Sequence, residues 1–349
     1  MTLEEVAALA GVSRATVSRV VNNQPHVNAE KRARVRQIIR ECGYLPNPAA
    51  RALARGHSHT IGLVIPTALA GWLSSAYFTF LFQGAANACE QRGYNMMLSP
   101  QAAQTPEAYD HIISSGYVDG LVVTTSAVGA AYLDHLIEHE YPFVLLGRHL
   151  QRNDLNTVYA DNLEAAQRVV AYLVSLGYSR IATITGSAVN ATAVDRLDGF
   201  LAGIRSLGLT CPPEYIAQGS FTEEGSYEAM QSLLALADRP QAVFCCNDQA
   251  AVAALRAIRD AGLAVPDDIA LVGFDDLPLA AAVDPPLTTV HHPVEQMGLL
   301  AASLLIDQLE AMAANPQLRP VPQHIVVGTE IVVRGSCAAG RRQLAHAAI

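Results

Sequence analysis

From Thr60 onward the sequence alternates short apolar segments with longer amphipathic ones, and this alternation constrains the fold more than any other feature. The apolar segments include TIGLVIP, FVLLG, RIATITG, AVFCC and IALVGF. Strands that alternate with helices predict parallel sheets with right-handed crossovers, and such uniformly apolar strands are typical of sheets covered on both faces. The alternation continues long enough for two sheets, so we predict two doubly wound α/β lobes.

The first 60 residues carry a different pattern, which consists of short helices. Thr2 and Glu5 have the spacing of a capping box, and Gly11 can adopt the left-handed conformation that ends a helix. Ser13 can cap a second helix, and Asn28 can cap a third one in NAEKRARVRQIIRECGY. Two short helices joined by a glycine-containing turn predict an all-α helix-turn-helix head.

The second helix of this head has two distinct sides. At about 100° per residue, Val17, Val20 and Val21 share one side and would face the first helix. The exposed side and the first turn carry Arg14, Ala15, Ser18, Arg19 and Asn22. A DNA major groove admits such a helix, arginine can bond guanine, and the hydroxyls of Ser13, Thr16 and Ser18 suit phosphates.

Charge is distributed unevenly along the chain. The net charge is −9, but nine basic and four acidic side chains give residues 1–60 a charge of +5, which leaves −14 on the remainder. This asymmetry favours a nucleic-acid-binding head on an acidic body, although a solvated basic helix face would produce the same count.

Several functional classes lack their sequence signals. No apolar run reaches the roughly 18 residues that span a bilayer, and the N-terminus lacks a signal peptide, so we expect a soluble cytoplasmic protein with no membrane partner. The six cysteines are scattered without a C-x-x-C pair, which favours reduced thiols. Nucleotide-binding, hydrolase and zinc-protease motifs are missing, so we predict neither an enzyme nor a cofactor.

Polar side chains follow four of the predicted strands, where ligands of α/β folds bind. These residues are Arg148 after FVLLG, Asn190, Thr192 and Arg196 after IATITG, Asn247 after AVFCC, and Asp275 after IALVGF. Together they suit a polyhydroxylated ligand, and Phe78, Phe221 or Trp72 could stack on a sugar face. Taken singly, Asn247 and Asp275 could be helix caps and Arg196 could form a structural ion pair.

The His291–His292 pair raises the alternative of a metal site. No cluster of cysteines or carboxylates accompanies the pair, so we predict no metal and favour a pocket or hinge role for His292.

The N-terminal run of the chain is TLEEVAALAGVSRATVSRVVNNQPHVNAEKRARVRQIIRECGYLPNPAARALA. This run resembles the DNA-binding head of the LacI/GalR family of bacterial repressors. The resemblance implies that Arg14 and Ala15 set operator preference, that Arg19 contacts a common base, and that Tyr44 and Asn47 fix the head on DNA. Ala15 cannot donate a hydrogen bond but could touch a thymine methyl. The predicted DNA-binding set is Thr2, Ser13, Arg14, Ala15, Thr16, Ser18, Arg19, Asn22, His26, Tyr44, Asn47, Ala50 and Leu53.

The segment NPAARALARGHSH could be a plain linker. The family resemblance instead implies a hinge helix that orders on operator DNA, with Leu53 wedged between bases in the minor groove.

The body is similar to the type-I periplasmic sugar-binding fold that these regulators use as a sensor. The resemblance rests on DGLVV, ADNLEAA, LGYSRIATITG, DRLDGF, AVFCCNDQAA, PDDIALVGFDD and PPLTTVHHPVEQMG. It implies an effector site that contains Arg196, Asn247 and Asp275. The full predicted effector set is Phe78, Arg148, Asn190, Thr192, Arg196, Phe221, Asn247, Asp275 and His292. The loop 67–77, which carries Trp72, could extend over the pocket mouth.

These observations divide the chain into four parts. We predict a helix-turn-helix domain at 1–46, a hinge at 47–59, a two-lobed core at 60–337 and a tail at 338–349. The first lobe would contain about 60–158 with 291–320, and the second about 159–290 with 321–337.

The function that the resemblance implies is a ligand-responsive transcription repressor, released from DNA by a sugar or oligosaccharide. The alternative is a solute-binding receptor for a sugar transporter. Palindromic operator DNA would be bound by a homodimer, because one head contacts few bases. The tail shows no sustained heptads that would build a coiled-coil tetramer.

Overall fold

The computed structural model describes residues 1–22, 24–44, 57–65, 75–100, 106–124, 131–315, 317, 319 and 321–337. The chain divides into two compact units, Met1–His59 and Thr60–Ile349. Several predictions fall outside the described residues, namely those for Asn47, Ala50, Leu53, Trp72, most of the hinge and of the loop 67–77, and the tail 338–349.

The N-terminal unit contains the predicted helix-turn-helix. Its helices are α1 (Leu3–Ala10), α2 (Arg14–Val21) and α3 (Ala29–Glu41). The capping box is confirmed, because Thr2 Oγ1 accepts from the Glu5 amide at 3.3 Å and the Thr2 amide donates to Glu5 Oε2 at 2.8 Å. Gly11 ends α1 with a φ of 62°, and Ser13 caps α2.

A small apolar core joins the three helices. Its buried members are Val6, Ala7, Ala10, Val17, Val20, Val35 and Tyr44. Val17 and Val20 thus face inward as the helical spacing predicts, whereas Val21 is only partly buried. Burial of each valine contributes about 1.5–3 kcal/mol relative to exposure, so these contacts hold α2 in place on the other two helices.

The second unit opens with a β/α series that forms the first lobe. Its elements are β1 (Thr60–Ile65), α4 (Ala76–Arg92), β2 (Asn95–Pro100), α5 (Pro106–Ser114), β3 (Gly120–Thr124), α6 (Ala131–Glu138), β4 (Phe143–Leu146) and β5 (Thr157–Ala160).

A second β/α series forms the other lobe. Its elements are α7 (Asn162–Ser175), β6 (Ile181–Thr185), α8 (Ala191–Ser206), β7 (Ile216–Gln218), α9 (Glu223–Leu234), β8 (Ala242–Cys245), α10 (Asp248–Asp260), β9 (Ala270–Val272) and α11 (Pro278–Ala282). The chain then continues through β10 (Thr289–His291), α12 (Val294–Ala314), β11 (His324–Val327) and β12 (Glu330–Val332).

Two parallel sheets confirm the predicted α/β architecture. The first has six strands in the order β11-β5-β4-β3-β1-β2, and the second has four in the order β7-β6-β8-β9. A short antiparallel pair, β10 with β12, forms a third sheet. The central strands β1, β3, β4 and β8 are buried along almost their whole length, as sheets covered on both faces require.

Strand pairing corrects the predicted lobe boundaries. The assignment of all of 321–337 to the second lobe is wrong, because His324–Val327 pair in parallel with Thr157–Ala160 of the first sheet. The same pairing ends the first lobe at Ala160, close to the predicted boundary near residue 158. The chain passes from the first lobe to the second twice, after β5 and after β11, and the apolar pattern of HIVV alone does not reveal which sheet it joins.

The crossings after β5 and after β11 are connected by one arginine. Arg168 Nη2 donates to Asp161 Oδ2 at 2.9 Å, next to the first crossing. The same nitrogen lies 2.7 Å from Thr329 Oγ1 and 3.0 Å from the Thr329 carbonyl oxygen, just after β11. A third crossing, at His292, leads from β10 back to the first lobe through α12.

Helix α12 packs closely on α4 in the first lobe. An added Cβ on Gly84 would lie 1.8 Å from the Glu295 carbonyl oxygen, and one on Gly298 would lie 2.2 Å from the Leu81 carbonyl oxygen. Within the described parts of the chain, α12 is the single helix whose length and apolar composition would suit a membrane span. Its buried residues belong to the core of the first lobe, and a core helix passes the same test.

Candidate functional site

The exposed side of α2 carries most of the predicted DNA-binding residues. Ser13, Arg14, Ala15 and Arg19 are exposed, as is His26 beyond the helix. Thr16, Ser18 and Asn22 are partly buried. This arrangement presents two guanidinium groups and a methyl group from one helix, which suits contact with base edges and phosphates.

Local hydrogen bonds hold the short polar side chains of α2 in place. Ser13 Oγ accepts from the Thr16 amide and lies 2.9 Å from Thr16 Oγ1. Asn22 Nδ2 donates to Ser18 Oγ at 3.4 Å. Arg14 Nε lies 2.8 Å from Glu4 Oε1, but both side chains are largely exposed. Such a surface pair contributes about 0–1 kcal/mol, so it leaves Arg14 free to contact another group.

Two residues of the predicted DNA-binding set have structural roles. Tyr44 is 9% exposed and belongs to the core of the head. Thr2 caps α1 with its side-chain oxygen. Contacts of either residue with DNA stay predictions.

In the second unit, Arg196 brings together three segments of the second lobe. Its Nε donates to Asn162 Oδ1 at 2.9 Å, its Nη1 donates to the Cys246 carbonyl oxygen, and its Nη2 lies 3.4 Å from Asp275 Oδ1. The guanidinium carbon also lies 3.5 Å from the centre of the Phe274 ring. Arg196 is only 4% exposed, so the alternative of a structural ion pair is confirmed, and any ligand contact would be an additional role.

Asp275 joins Arg196 to the crossing at His292. Its Oδ1 lies 3.3 Å from His292 Nδ1 as well as 3.4 Å from Arg196 Nη2. The backbone of Asp275 has a φ of 105°, and Asp276 next to it has a φ of 56°. Non-glycine residues rarely adopt these conformations, and backbone strain of this kind concentrates at functional sites.

His292 is buried between aromatic rings of both lobes. Its ring centre lies 5.7 Å from that of Tyr77 on α4 and 5.9 Å from that of Phe274 after β9. Burial is the largest cause that lowers the pKa of His292, with smaller contributions from Arg196 and His291, and the net shift is downward although the Asp275 carboxylate raises it. The imidazole is therefore held neutral.

A pocket of about 560 Å³ opens beside this crossing. Asp275 and His292 contribute polar groups to its lining, and Phe80 and Leu299 contribute apolar surface. Pockets of this size with a few polar groups accommodate small molecules.

Asn190 and Asn247 act as helix caps. Asn247 Oδ1 accepts from the Ala250 amide at 2.8 Å, and Asn190 Oδ1 accepts from the Thr192 and Ala193 amides at 2.9 and 3.2 Å. The capping alternative considered for Asn247 is thus confirmed. Ligand contacts of these two asparagines and of Thr192 stay predictions.

Arg148 pairs with a residue of the opposite lobe. Arg148 follows β4, and its Nε donates to Asp195 Oδ2 of α8 at 2.8 Å while its Nη2 also donates to the same carboxylate. The aspartate raises the pKa of Arg148. Because Arg148 follows a strand of the first lobe and Asp195 lies on a helix of the second, the pair spans the space between the lobes.

The two predicted aromatic residues lie in different lobes. Phe221 follows β7 with a φ of 61°, and an added Cβ on Gly186 would lie 2.2 Å from its ring. Phe78 on α4 is partly buried and meets Tyr77 edge to face at 5.4 Å.

Three residues that the sequence did not predict complete the arrangement. Asn162 and Phe274 hold the Arg196 side chain, and Tyr77 packs against His292. The signal for Asn162 was its position directly after a strand, in ADNLEAA, whereas Phe274 and Tyr77 are indistinguishable from ordinary core residues in the sequence.

Asp248, the first residue of α10, carries a buried carboxyl group. It accepts from Thr289 Oγ1 at 2.5 Å and from the Leu277 amide at 2.7 Å. Burial raises the pKa of Asp248 to about 8, with a further contribution from Asp275. Across the described residues, no group of three or more histidines, cysteines and carboxylates has an arrangement that could hold a metal ion.

Two family models match the two units. Residues 2–47 match the family described as bacterial regulatory proteins, lacI family, and residues 170–337 match the periplasmic binding protein-like domain. The N-terminal match favours a regulator over a transporter's solute receptor.

Curated relatives match along almost their whole length. The repressor CytR of Escherichia coli K12 is 34% identical over 97% of this chain and 96% of its own. The probable repressor ExuR of Bacillus subtilis is 31% identical over 96% of this chain and 98% of its own, and the regulator CelR of Thermobifida fusca is 32% identical over 93% and 97%.

Solved structures give the same result. A complex of the transcriptional regulator CelR with cellobiose superimposes with a TM-score of 0.76 at 31% identity and covers 96% of this chain and 99% of that one. The lac repressor dimer bound to operator and the anti-inducer ONPF gives a TM-score of 0.83 at 26% identity, with coverage of 97% and 99%. With its helix-turn-helix head, its two parallel-sheet lobes and these relatives, the chain belongs to the LacI family of bacterial transcription regulators.

Proposed function

We propose that this chain represses transcription by binding a palindromic operator and that a sugar or oligosaccharide bound between its lobes releases it. The observation that carries the proposal is that one chain contains two kinds of unit. One is a helix-turn-helix with exposed Arg14 and Arg19, and the other is a pair of lobes bridged at their strand ends by polar side chains.

The DNA-binding part of the proposal rests on α2. Arg19 would contact a base edge, Arg14 and Ala15 would set operator preference, and the hydroxyls of Ser13, Thr16 and Ser18 would contact phosphates. The exposure of Arg19, Arg14 and Ala15 supports this assignment.

The effector part rests on the space between the lobes. Arg196, Asp275 and His292 form a connected polar group there, and Arg148 reaches across to Asp195. Carboxylate and guanidinium groups at strand ends suit neighbouring hydroxyls of a sugar. The CelR structure contains cellobiose, which supports a carbohydrate effector for this relative of CelR. Phe78, Phe221, Asn190, Thr192 and Asn247 would complete the binding surface.

We propose a homodimer that acts in the bacterial cytoplasm and has no enzymatic activity. A dimer would place two heads on the two halves of a palindrome, as operator recognition of this type requires. The lac repressor structure, which is described as a dimer bound to operator, supports this assembly, and the relatives are named as regulators.

A thermal-shift screen tests the effector class. Purified full-length protein is heated with glucose, galactose, ribose, cellobiose or maltose, and at least one sugar should raise the midpoint of unfolding, because a bound ligand stabilises the folded state by mass action. If none of these sugars raised the midpoint while nucleosides or amino acids did, the sugar assignment would be wrong.

A further inference from the structure

Glu4 places a negative charge beside the DNA-facing helix of a basic head. Its Oε1 lies 2.8 Å from Nε of Arg14, and both side chains are largely exposed. The neighbouring Glu5 is engaged elsewhere, because its carboxylate accepts from the Thr2 amide in the capping box. Residues 1–60 carry nine basic and four acidic side chains, so an exposed carboxylate at this position opposes the general attraction of the head to DNA.

Local electrostatics explain why Arg14 requires a carboxylate in the free protein. Arg14 is the first residue of α2, and this helix has no acidic residue in its first turn. The N-terminus of a helix carries a partial positive charge, which disfavours a cation there. Since the Ser13 side chain that caps α2 is uncharged, Glu4 on α1 supplies the compensating negative charge. The pair thus joins the first turn of α2 to the first turn of α1.

The contact leaves the far end of the guanidinium group available. Glu4 approaches Arg14 at Nε, whereas Nη1 and Nη2 are the two nitrogens at the tip of the side chain. An arginine can bond guanine O6 and N7 with two nitrogens at once. Arg14 can therefore keep its contact with Glu4 at Nε and bond guanine with its tip, and the carboxylate favours this orientation before DNA is bound.

The same carboxylate opposes contacts of Arg14 with the phosphate backbone. In helix-turn-helix proteins, the first residues of the second helix contact base edges while the first helix crosses the backbone. Glu4 lies on this first helix, so a phosphate that approaches Arg14 also approaches a like charge. A guanine in the groove carries no such penalty. A repulsive element of this kind increases specificity, because it weakens the wrong complex more than the right one.

We propose that Glu4 is a specificity-determining residue, which orients Arg14 toward a guanine at one position of each half-site and opposes its binding to phosphate. The proposal rests on the proposed role of Arg14 in operator recognition and deepens it, because it names the base and the residue that enforces the choice. Glu4 is a positioning residue, since it acts through Arg14. It lowers affinity for non-specific DNA and increases the preference for guanine at the Arg14 position.

Selection of binding sites from random DNA, followed by anisotropy titrations, tests the proposal on full-length wild type, Glu4→Ala, Arg14→Ala and the double variant. Arg14→Ala should reduce the preference for guanine at one position by about 5- to 100-fold, the contribution of one bidentate contact. Glu4→Ala should reduce it at the same position by about 3-fold and strengthen binding to non-specific DNA by a similar factor, as the loss of a surface ion pair does. In the Arg14→Ala background, removal of Glu4 should not change base preference.

The salt dependence of binding separates repulsion from a loss of structure. In Glu4→Ala, Arg14 can neutralise one more phosphate, so the slope of log K against log salt concentration on non-specific DNA should steepen by about 0.9 for each bound head. Glu4→Gln removes the charge but keeps an acceptor oxygen, so it should steepen the slope equally and retain part of the guanine preference. The control Glu41→Ala removes the same charge from the exposed end of α3 and should leave base preference unchanged at every position.

Two results would overturn the inference in different ways. If Arg14→Ala removed a guanine preference that Glu4→Ala and Glu4→Gln kept at full strength, with melting curves that show each variant to be folded, Glu4 would not determine specificity. If Arg14→Ala changed no preference for guanine at any position, the proposed role of Arg14 in operator recognition would be wrong, and the role of Glu4 with it.

Discussion

Arg148 and Asp195 connect the two lobes through a bidentate ion pair. Arg148 Nε lies 2.8 Å from Oδ2 and 3.1 Å from Oδ1 of a carboxylate that is almost fully buried, while the arginine itself is about one-third exposed. Arg148 follows a strand of the first lobe and Asp195 lies on a helix of the second, so the pair contributes directly to holding the lobes together. An effector that enters this space must accommodate the pair or replace it.

Removal of Arg148 should therefore destabilise the protein. We expect Arg148→Ala to lower the free energy of unfolding by about 1–3 kcal/mol, because it leaves the Asp195 carboxylate buried without its partner. Arg148→Lys should recover only part of this loss, since an ammonium group cannot reproduce the two parallel contacts. Urea unfolding of both variants, of Asp195→Asn and of the double variant gives the coupling energy. A coupling energy near zero would show that the pair does not hold the lobes.

Substitution of Arg196 should affect both stability and response. Arg196→Ala removes a guanidinium that binds Asn162, Cys246 and Asp275, so we expect a loss of about 3 kcal/mol in the free energy of unfolding and no response to sugar. Operator binding at a temperature well below unfolding should persist. Anisotropy titrations with and without sugar measure both operator binding and the sugar response. If sugar released Arg196→Ala from DNA normally, the assignment of Arg196 to the effector site would be wrong.

Asp248 should make stability depend on pH. Its pKa is about 8 in the folded state and about 4 in an unfolded chain, so between these values the folded state keeps a proton that the unfolded chain has released. The contribution of this group to the free energy of unfolding is therefore full below about pH 4 and is lost as the pH rises to about 8.

The variant Asp248→Asn mimics the protonated carboxyl and should not lose this contribution. Between pH 5 and pH 8 its free energy of unfolding should rise relative to wild type by about 2 kcal/mol or more, whereas the exposed control Asp198→Asn should show no such trend. A difference between Asp248→Asn and wild type that stays constant across this range would show that Asp248 is ionised in the folded protein.

Arg19 on the exposed side of α2 should contribute to sequence recognition. Arg19→Ala should weaken operator binding by about 1–3 kcal/mol and relax the base preference at one position of each half-site. The exposed Arg40 near the end of α3 provides a matched control, and Arg40→Ala should change affinity only slightly and equally for all sequences. Selection of binding sites from random DNA by each variant checks both results. A uniform loss for Arg19→Ala would make Arg19 a phosphate contact.

The fold could be predicted from the sequence because each element has a local cause. Thr2, Gly11 and Ser13 mark the helix ends of the head, and the apolar runs after Thr60 mark the strands. The lobe that receives β11 could not be predicted, because His324–Val327 would suit either sheet and only pairing with Thr157–Ala160 decides it.

The candidate site could be predicted only in part. The polar residues after strands were visible, but their partners were not, since contacts such as Arg148 with Asp195 and Arg196 with Asn162 join positions distant in the chain. The double role of Arg196 as structural ion pair and proposed ligand contact also depends on burial, which a single sequence does not reveal.

The most direct test of the account is an anisotropy titration of full-length protein on the palindromic DNA selected from a random library. At low salt the protein should bind this DNA tightly as a dimer, and the sugar that gives the largest thermal shift should weaken binding at least about 10-fold, as coupling between two sites requires. Binding to DNA that is unchanged by a sugar known to bind the protein, or no palindromic preference at all, would contradict the central claim.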